Sequence, residues 1–352
     1  MSLVSSLPLR AGAFALALSA VLSGAASAET FNLTLASGYP PGINVMQAFT
    51  NQFQPAAEAV LEGTGHAINW NFAMAGTLAR APDVFEAVES GLADVGHIVW
   101  LFEGARLPLQ NVGFYAVFGT EDTRLVTEAH QQLMDEFPAL RAEWDAAKQV
   151  FLAGYPLDTY ELWSRTPINA LADLDGLKIG GGGTNLPWLR GTGAAGVSTT
   201  GATAYNDLNS GLIDGVLAPT TLGVNAKWHE VSPYLMRVNF GAATLGALTV
   251  NRQVWDRLPA EVQAALQAGA EAWREQMIVL TTDSVEEARA RFVENGGTII
   301  DFPAEQRELW ASTIPNPATE WLAEDGRREV LARYMEILRA RGVTFPRDWA
   351  AE

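Results

Sequence analysis

Side chains that could act as nucleophiles or general bases are few and widely spaced along the chain. None of the 352 residues is a cysteine, so a thiolate nucleophile, a disulfide and a Cys-based metal centre are excluded. His229 has no second histidine four residues on, and no serine lies in a Gly-x-Ser-x-Gly elbow. His97 lies in an apolar segment, which favours a hydrogen-bonded core histidine over a catalytic base. The sequence therefore predicts no catalytic residue, no metal site, no cofactor and no enzymatic activity.

A run of four glycines at positions 180–183 is the most unusual local feature of the chain. It follows a predicted strand and precedes a helix-like segment, which is where phosphate-binding loops lie. However, the run lacks the spacing of nucleotide-binding glycine motifs, so it does not indicate a nucleotide site. Two interpretations remain: a flexible strand-to-helix turn, or a backbone surface that contacts a bound carboxylate or hydroxyl group.

Aromatic residues are frequent at the predicted strand ends, where ligands bind in open α/β sheets. Together they favour an aromatic-lined cleft, although each one alone is better explained by core contacts. Arginines also lie near these loops, and one guanidinium would let an acidic protein hold an anion. The aromatic residues are Tyr39, Trp70, Trp100, Tyr160, Trp163 and Trp188, and the arginines are Arg80, Arg106, Arg165 and Arg190.

The composition indicates a globular protein of two domains. Its 352 residues are 48% hydrophobic and 18% charged, which suits two buried cores and neither a disordered chain nor a multi-span membrane protein. The formal net charge of -17 would repel nucleic acids and anionic membranes. We therefore expect no nucleic-acid partner.

Residues 1–28 have the pattern of a secretory signal peptide. Arg10 precedes an apolar run at positions 11–22, and Ala26, Ser27 and Ala28 form a small-residue cleavage site. The apolar run is shorter than the roughly 20 residues that span a bilayer. We therefore expect an exported chain that begins near Glu29 and resides in a periplasm.

Helical and strand patterns alternate along the mature chain, which predicts an α/β fold with parallel or mixed sheets. A nearly continuous helical pattern at positions 259–294 is long enough to bridge two domains. We predict strands at 31–36, 67–72, 93–99, 149–154, 177–179 and 212–217, and shorter helices at 45–61, 81–89, 188–193 and 202–210.

A series of short motifs runs along the mature chain. They are DVFEAVESGLADVG at 83–96, DLDGLKI at 173–179, residues 193–215, which end in GLIDG, KWHEV at 227–231 and the W..LP pattern at 255–259. In this order they resemble the motifs of the solute-binding proteins of tripartite ATP-independent periplasmic (TRAP) transporters. The resemblance covers nearly the whole mature chain.

This resemblance implies a two-lobed periplasmic solute-binding fold with a long helix spanning both lobes. Lobe I would comprise residues 29–153 and about 241–280, and lobe II residues 154–240 and about 281–352. The implied function is that of a monomeric receptor that closes on a small organic acid and delivers it to the membrane permease subunits of a TRAP transporter. The alternative is a periplasmic ligand-binding subunit for a sensor or chemoreceptor.

The chain departs from the family pattern at three polar positions. Gly180 stands where members usually carry the arginine that pairs with the ligand carboxylate, and Tyr160 replaces a second arginine. Ala218 or Pro219 replaces an asparagine. Either Arg80 or Arg190, with backbone groups around 181–185, holds the carboxylate, or the ligand is less acidic, bulkier, and aromatic or hydroxylated. We predict ligand contacts at Tyr39, Thr77, Arg80, Trp100, Tyr160, Asn185, Trp188, Thr200 and Thr220.

Overall fold

The computed structural model describes residues 1, 29–182, 185–201 and 203–351. Apart from Met1, the predicted signal peptide lies outside this part of the chain. The strands that the described residues form are β1 (Thr30–Ala36), β2 (Ala67–Ala73), β3 (Val95–Val99), β4 (Gln149–Leu157), β5 (Tyr160–Ser164), β6 (Lys178–Gly181), β7 (Ala195–Ser198), β8 (Gly215–Pro219), β9 (Tyr234–Arg237), β10 (Ala243–Asn251) and β11 (Thr298–Asp301).

Helices connect these strands and cover both sheets, as the alternating pattern predicted. A π-helical segment, Phe49–Phe53, joins the first two helices into one continuous rod, and short 3-10 turns follow several strands. The α-helices are α1 (Asn44–Ala48), α2 (Gln54–Leu61), α3 (Val84–Glu89), α4 (Thr123–Glu136), α5 (Pro138–Ala146), α6 (Ala204–Ser210), α7 (Thr220–Asn225), α8 (Arg252–Arg257), α9 (Ala260–Glu294), α10 (Ala304–Thr313) and α11 (Arg327–Ala340).

The first sheet has the strand order β2-β1-β3-β10-β4. Strands β1, β2 and β3 are parallel, whereas β10 runs antiparallel to both of its neighbours. In β1, Leu33 and Leu35 are buried on one face, while the central strand β3 is buried along its whole length. The carboxyl ends of β1, β2 and β3 therefore share one edge of this sheet.

The second sheet has the strand order β11-β9-β5-β8-β6-β7. Strands β6, β7 and β8 are parallel, and β5 is antiparallel to β8 and β9. One face carries α6, α7 and the end of α9 around a core that contains Trp163 and Phe292. The carboxyl ends of β6, β7 and β8 meet at one edge, which is where open α/β sheets bind ligands.

Helix α9 connects the two halves of the molecule. Its 35 residues extend about 52 Å at the usual rise of an α-helix. It contacts α2 and β4 in the first half and α7 and β11 in the second. The helical pattern predicted at 259–294 is confirmed, and an apolar stripe along it is buried in the first core: Val262, Leu266, Ala270, Trp273 and Met277. The α/β class, the two lobes and the long spanning helix are thus confirmed.

Several details differ from the sequence-based predictions. The predicted boundary at 153/154 falls inside β4, which continues to Leu157 because that residue still pairs with Ala243. Helix α11 contacts α4 of the first lobe, and Arg333 pairs there with Glu136 at 2.7 Å. The remaining lobe boundaries stay a prediction.

The predicted helix at 188–193 is a 3-10 turn, Leu186–Leu189, that ends before Gly191. Gly191 and Gly193 have φ angles of +81° and +86°, a conformation that stops a right-handed helix.

Candidate functional site

A cavity of about 450 Å³ lies at the carboxyl ends of the parallel strands of the second sheet. We call it the strand-end cavity. The loop after β3 of the first lobe closes its other side with Leu101 and Phe102, so the cavity lies between the lobes. Its walls in the second lobe are Tyr160, Gly181, Gly182, Asn185, residues 199–201, residues 216–219, Leu222 and Trp228.

The glycine run gives this cavity its shape. A Cβ atom at Gly180 would lie 2.7 Å from Thr199 Cγ2 and 2.9 Å from Ile213 Cδ1, both closer than side-chain contacts allow. A Cβ atom at Gly181 would lie 2.5 Å from Asn185 Oδ1. The missing side chains therefore let the polypeptide turn back over β6 and place the Asn185 amide against the strand. This explains why position 180 accommodates no larger residue in this arrangement.

The Asn185 amide has unused hydrogen-bonding capacity. Its side chain is only 3% exposed, and Nδ2 donates to the Leu217 carbonyl over 3.4 Å. Oδ1 has no hydrogen-bond partner within the described chain. The indole Nε1 of Trp228, another wall residue, is also buried without a partner among the described residues. Buried polar groups without partners are costly, so a ligand that bonded to either atom would offset this cost.

Aromatic rings form the floor behind Tyr160. The Tyr160 ring meets Trp188 edge-on, with the ring centroids 5.5 Å apart. Trp188 in turn stacks on Phe240 at 5.2 Å and is itself buried. Such pairs hold the Tyr160 ring rigidly, and Trp188 supports the wall from behind instead of facing the cavity.

The structure brings three of the predicted contact residues together in the strand-end cavity: Tyr160, Asn185 and Thr200. Thr220 follows the wall residue Pro219, and its buried hydroxyl has no partner among the described residues. Arg190 is exposed beyond the 3-10 turn and does not line the cavity.

The first-lobe predictions lie apart from this cavity. Tyr39 and Thr77 follow β1 and β2, and the Thr77 hydroxyl donates to the Met74 carbonyl at 2.9 Å. Arg80 is exposed and pairs with Asp83 at 2.8 Å. Trp100 lies in the core, where Nε1 donates to the Thr244 carbonyl at 3.1 Å, because the turn after the buried strand β3 directs it inward. None of the four lines the strand-end cavity.

A hydrogen-bonded chain lies under the first-lobe edge of the cleft. Ser37 Oγ is 3.2 Å from His97 Nδ1, and His97 Nε2 is 2.9 Å from the Tyr155 hydroxyl. The Tyr39 ring lies 5.6 Å from the His97 ring. Burial lowers the pKa of His97 to about 3, so the imidazole is neutral at physiological pH. We call Ser37, His97 and Tyr155 the first-lobe chain; it confirms that His97 is a hydrogen-bonded core residue.

Sequence reasoning missed several members of these two groups, among them Leu101, Phe102, Leu222, Trp228 and Tyr155. Leu101 and Phe102 directly follow the predicted strand at 93–99, so their place at a strand end was a usable signal. Trp228 lies in the KWHEV segment, but nothing in its local pattern distinguishes a wall residue from a core residue.

Other cavities have different characters. One, of about 550 Å³, lies between α4 and α9 and is strongly charged, with Arg289 paired to Glu121 at 2.9 Å. A third, about 360 Å³, is enclosed by the start of α1, the end of β4, α7 and α9. Neither lies at the carboxyl ends of β6, β7 and β8. Among the described residues, no cluster of three His, Asp or Glu side chains could hold a metal ion.

The fold and the cavity between its lobes define a two-lobed α/β binding protein. A family model described as bacterial extracellular solute-binding protein, family 7 (DctP) matches residues 36–323. The chain therefore belongs to this family. Its members bind solutes, which confirms that the chain is a receptor and not an enzyme. None of the helices in the part of the chain that the structure describes is both long and apolar enough to cross a membrane.

Individual relatives agree with this assignment. The C4-dicarboxylate-binding periplasmic protein of Rhodobacter capsulatus is 28% identical over 130 residues, which is 36% of this chain and 38% of that protein. The match thus spans well under half of this curated relative.

Solved structures share the fold at low identity. A TRAP periplasmic solute-binding protein from Desulfovibrio salexigens, in an open complex, has a TM-score of 0.78 at 18% identity, covering 89% of this chain and 97% of that one. A Bordetella pertussis extracytoplasmic solute receptor that binds pyroglutamic acid has a TM-score of 0.69 at 19% identity, with 89% and 100% covered. A second Desulfovibrio salexigens protein, with bound orotic acid, has a TM-score of 0.72 at 18% identity, with 88% and 99% covered.

Proposed function

We propose that this protein is the extracytoplasmic solute receptor of a TRAP-type secondary transporter, which binds a small organic acid between its lobes and delivers it to the membrane permease subunits. The observation that carries the proposal is the strand-end cavity, which is closed by Leu101 and Phe102 from one lobe and by strand ends from the other. Family membership supplies the class of function, and the acids bound by structural neighbours support an acidic ligand.

Closure of the two lobes is the expected response to the ligand. A ligand held between the lobes contacts both of them only in the closed state, so binding shifts the population toward closure. We propose that the hinge comprises the crossings at Asp158–Thr159 and at 238–242, together with α9. The lobes then divide close to the predicted boundaries, with the first crossing moved from 153 to 158.

We propose Tyr160, Asn185 and Thr200 as direct ligand contacts, with Trp188 and Thr220 behind them. Tyr39, Thr77 and Arg80 follow the strands of the facing edge, and we propose that closure brings them toward the ligand. A ligand carboxylate then has Arg80, on the facing edge, as its partner. The core position of Trp100 leaves it a supporting role in the first lobe.

We propose a periplasmic location, reached through a leader at residues 1–28 that is removed on export. The mature receptor then acts as a monomer that meets its permease at the membrane surface.

A thermal-shift screen of residues 29–352 tests this function, because a ligand that binds only the folded state raises the midpoint. Organic acids should raise the Tm and be recovered chemically unchanged. The variant Thr200→Phe places a ring in the cavity from an exposed position, so it should abolish the shift. Thr319→Phe, at another exposed threonine with a local hydrogen bond, is the matched control and should keep it. An acid shift that survives Thr200→Phe would contradict binding at this site.

A further inference from the structure

We propose that the strand-end cavity takes an uncharged ring of the ligand, one that donates a hydrogen bond to Asn185, and that any carboxylate points away from this wall. This inference rests on the proposed function and names the ligand chemistry of the same site. Three observations support it: the walls are uncharged, apolar side chains are exposed toward the cavity, and two buried polar atoms of the wall have no partner among the described residues.

The walls of the cavity are uncharged. No described lining residue carries a carboxylate, ammonium, guanidinium or imidazole group. A buried carboxylate without a cationic partner is strongly disfavoured, so a charged end of a ligand is not accommodated by the side chains of this wall.

Apolar surface faces the cavity from both lobes. Phe102 is 51% exposed and Leu222 is 39% exposed, and both line the cavity from opposite sides. A ring placed between them removes apolar surface from water on both of its faces, and Tyr160 adds aromatic surface on the floor. A compact, fully charged dicarboxylate offers no such surface.

The polar atoms fix the orientation of the ring. Because Asn185 Nδ2 donates to the Leu217 carbonyl, Oδ1 is the atom left to accept. It lies against Gly181 in the cavity wall, at a position that only glycine permits. Trp228 Nε1 can only donate, so a ring bearing both a donor and an acceptor would satisfy both groups.

Titration calorimetry with matched probes tests the inference on residues 29–352. The probes are 3-hydroxybenzoate, benzoate, uncharged 3-hydroxybenzamide, succinate, and the pair pyroglutamate and cyclopentanecarboxylate. Two pairs differ in the ring donor: 3-hydroxybenzoate with benzoate, and pyroglutamate with cyclopentanecarboxylate. In at least one pair we expect the ring that carries the donor to bind about five- to tenfold more tightly than the ring without it. Asn185→Ala should reduce this ratio to about one, whereas Asn69→Ala, at an exposed asparagine far along the first sheet, should preserve it.

Phe102→Ala provides a second variant at an exposed position, which leaves the fold intact. It should weaken ring ligands about three- to tenfold without changing the donor preference. Binding of 3-hydroxybenzamide but of no acid would support the inference and overturn the proposed acid ligand. Succinate binding as tightly as the ring acids, or a donor preference that survives Asn185→Ala, would overturn the inference and leave the acid receptor in place. If no probe binds, both proposals fail.

Discussion

On the first-lobe side of the cleft, His97 bonds to Ser37 through one ring nitrogen and to Tyr155 through the other, so the buried polar atoms of this chain have protein partners. On the second-lobe side, Asn185 Oδ1, Thr220 Oγ1 and Trp228 Nε1 are buried without partners among the described residues. The first side is thus preorganised by its own hydrogen bonds, whereas the second side has capacity for bonds that a ligand can supply. On the proposed function, we infer that the first side contributes rigidity and the second side ligand selectivity.

Lowering the pH should give the largest effect, because it acts on the buried His97. Its pKa is lowered from 6.5 to about 3 by burial, so below pH 6.5 the unfolded chain binds a proton that the folded chain does not. The free energy of unfolding should fall by about 2 kcal/mol from this residue between pH 6.5 and 4.5. The free energy of unfolding of the parent and of His97→Gln is measured in urea across this pH range. It should depend less steeply on pH in the variant. Parallel curves would contradict this assignment.

Tyr155→Phe should break the first-lobe chain at neutral pH. The change removes the hydroxyl that bonds to His97 Nε2 and leaves that nitrogen buried without a partner. We expect a loss of about 1–2 kcal/mol in the free energy of unfolding. An unchanged denaturation midpoint would show that the chain contributes no rigidity.

Two buried tryptophans allow a direct comparison of the two sides. Trp273 supports Tyr155 and donates Nε1 to the Val45 carbonyl at 3.0 Å, whereas Trp163 supports Trp228 and has an unpaired Nε1 among the described residues. Both are fully buried, so replacement by Phe removes similar contacts. We expect Trp273→Phe to cost about 1 kcal/mol more than Trp163→Phe in chemical unfolding. Equal losses would remove the distinction between the sides.

Thr220→Val should have the smallest effect, since it replaces an unpaired buried hydroxyl by a methyl group of similar size. The unliganded protein should change by no more than about 0.5 kcal/mol, or become slightly more stable. Thr249→Val is the control, because that buried hydroxyl donates to Gln149 Oε1 at 2.7 Å and its loss should cost about 1 kcal/mol. A large loss at Thr220 would indicate a partner that the present structure does not contain.

Much of the fold could be predicted from the sequence, because strand and helix periodicities are local properties. The stripe along α9 and the alternation in β1 follow directly from side-chain spacing. The extent of β4 could not, because its last residues are held by pairing with β10, far along the chain.

The candidate site was harder to predict than the fold. Asn185 was predicted because it follows the glycine run, where the family resemblance implies a binding loop, and Thr200 was predicted beside it without a strand signal of its own. Trp100 was predicted as a ligand contact but lies in the core. It follows β3, which is buried on both faces, so its sequence has no alternation that shows which way the next side chain points. Tyr155 could not be linked to His97 from the sequence, since their contact crosses from one sheet strand to another with β10 between them.

The place of β10 between β3 and β4 has a consequence for how the polypeptide acquires its structure. The segment that supplies β10 is synthesised only after β5 to β9. The first sheet therefore cannot form completely until β10 has been synthesised, because β10 pairs with both β3 and β4. Contacts between segments so far apart in the sequence predict slow folding. A fragment that ends at Leu157 lacks β10 and should remain unfolded. The complete chain should therefore fold only after the segments beyond Leu157 have been synthesised.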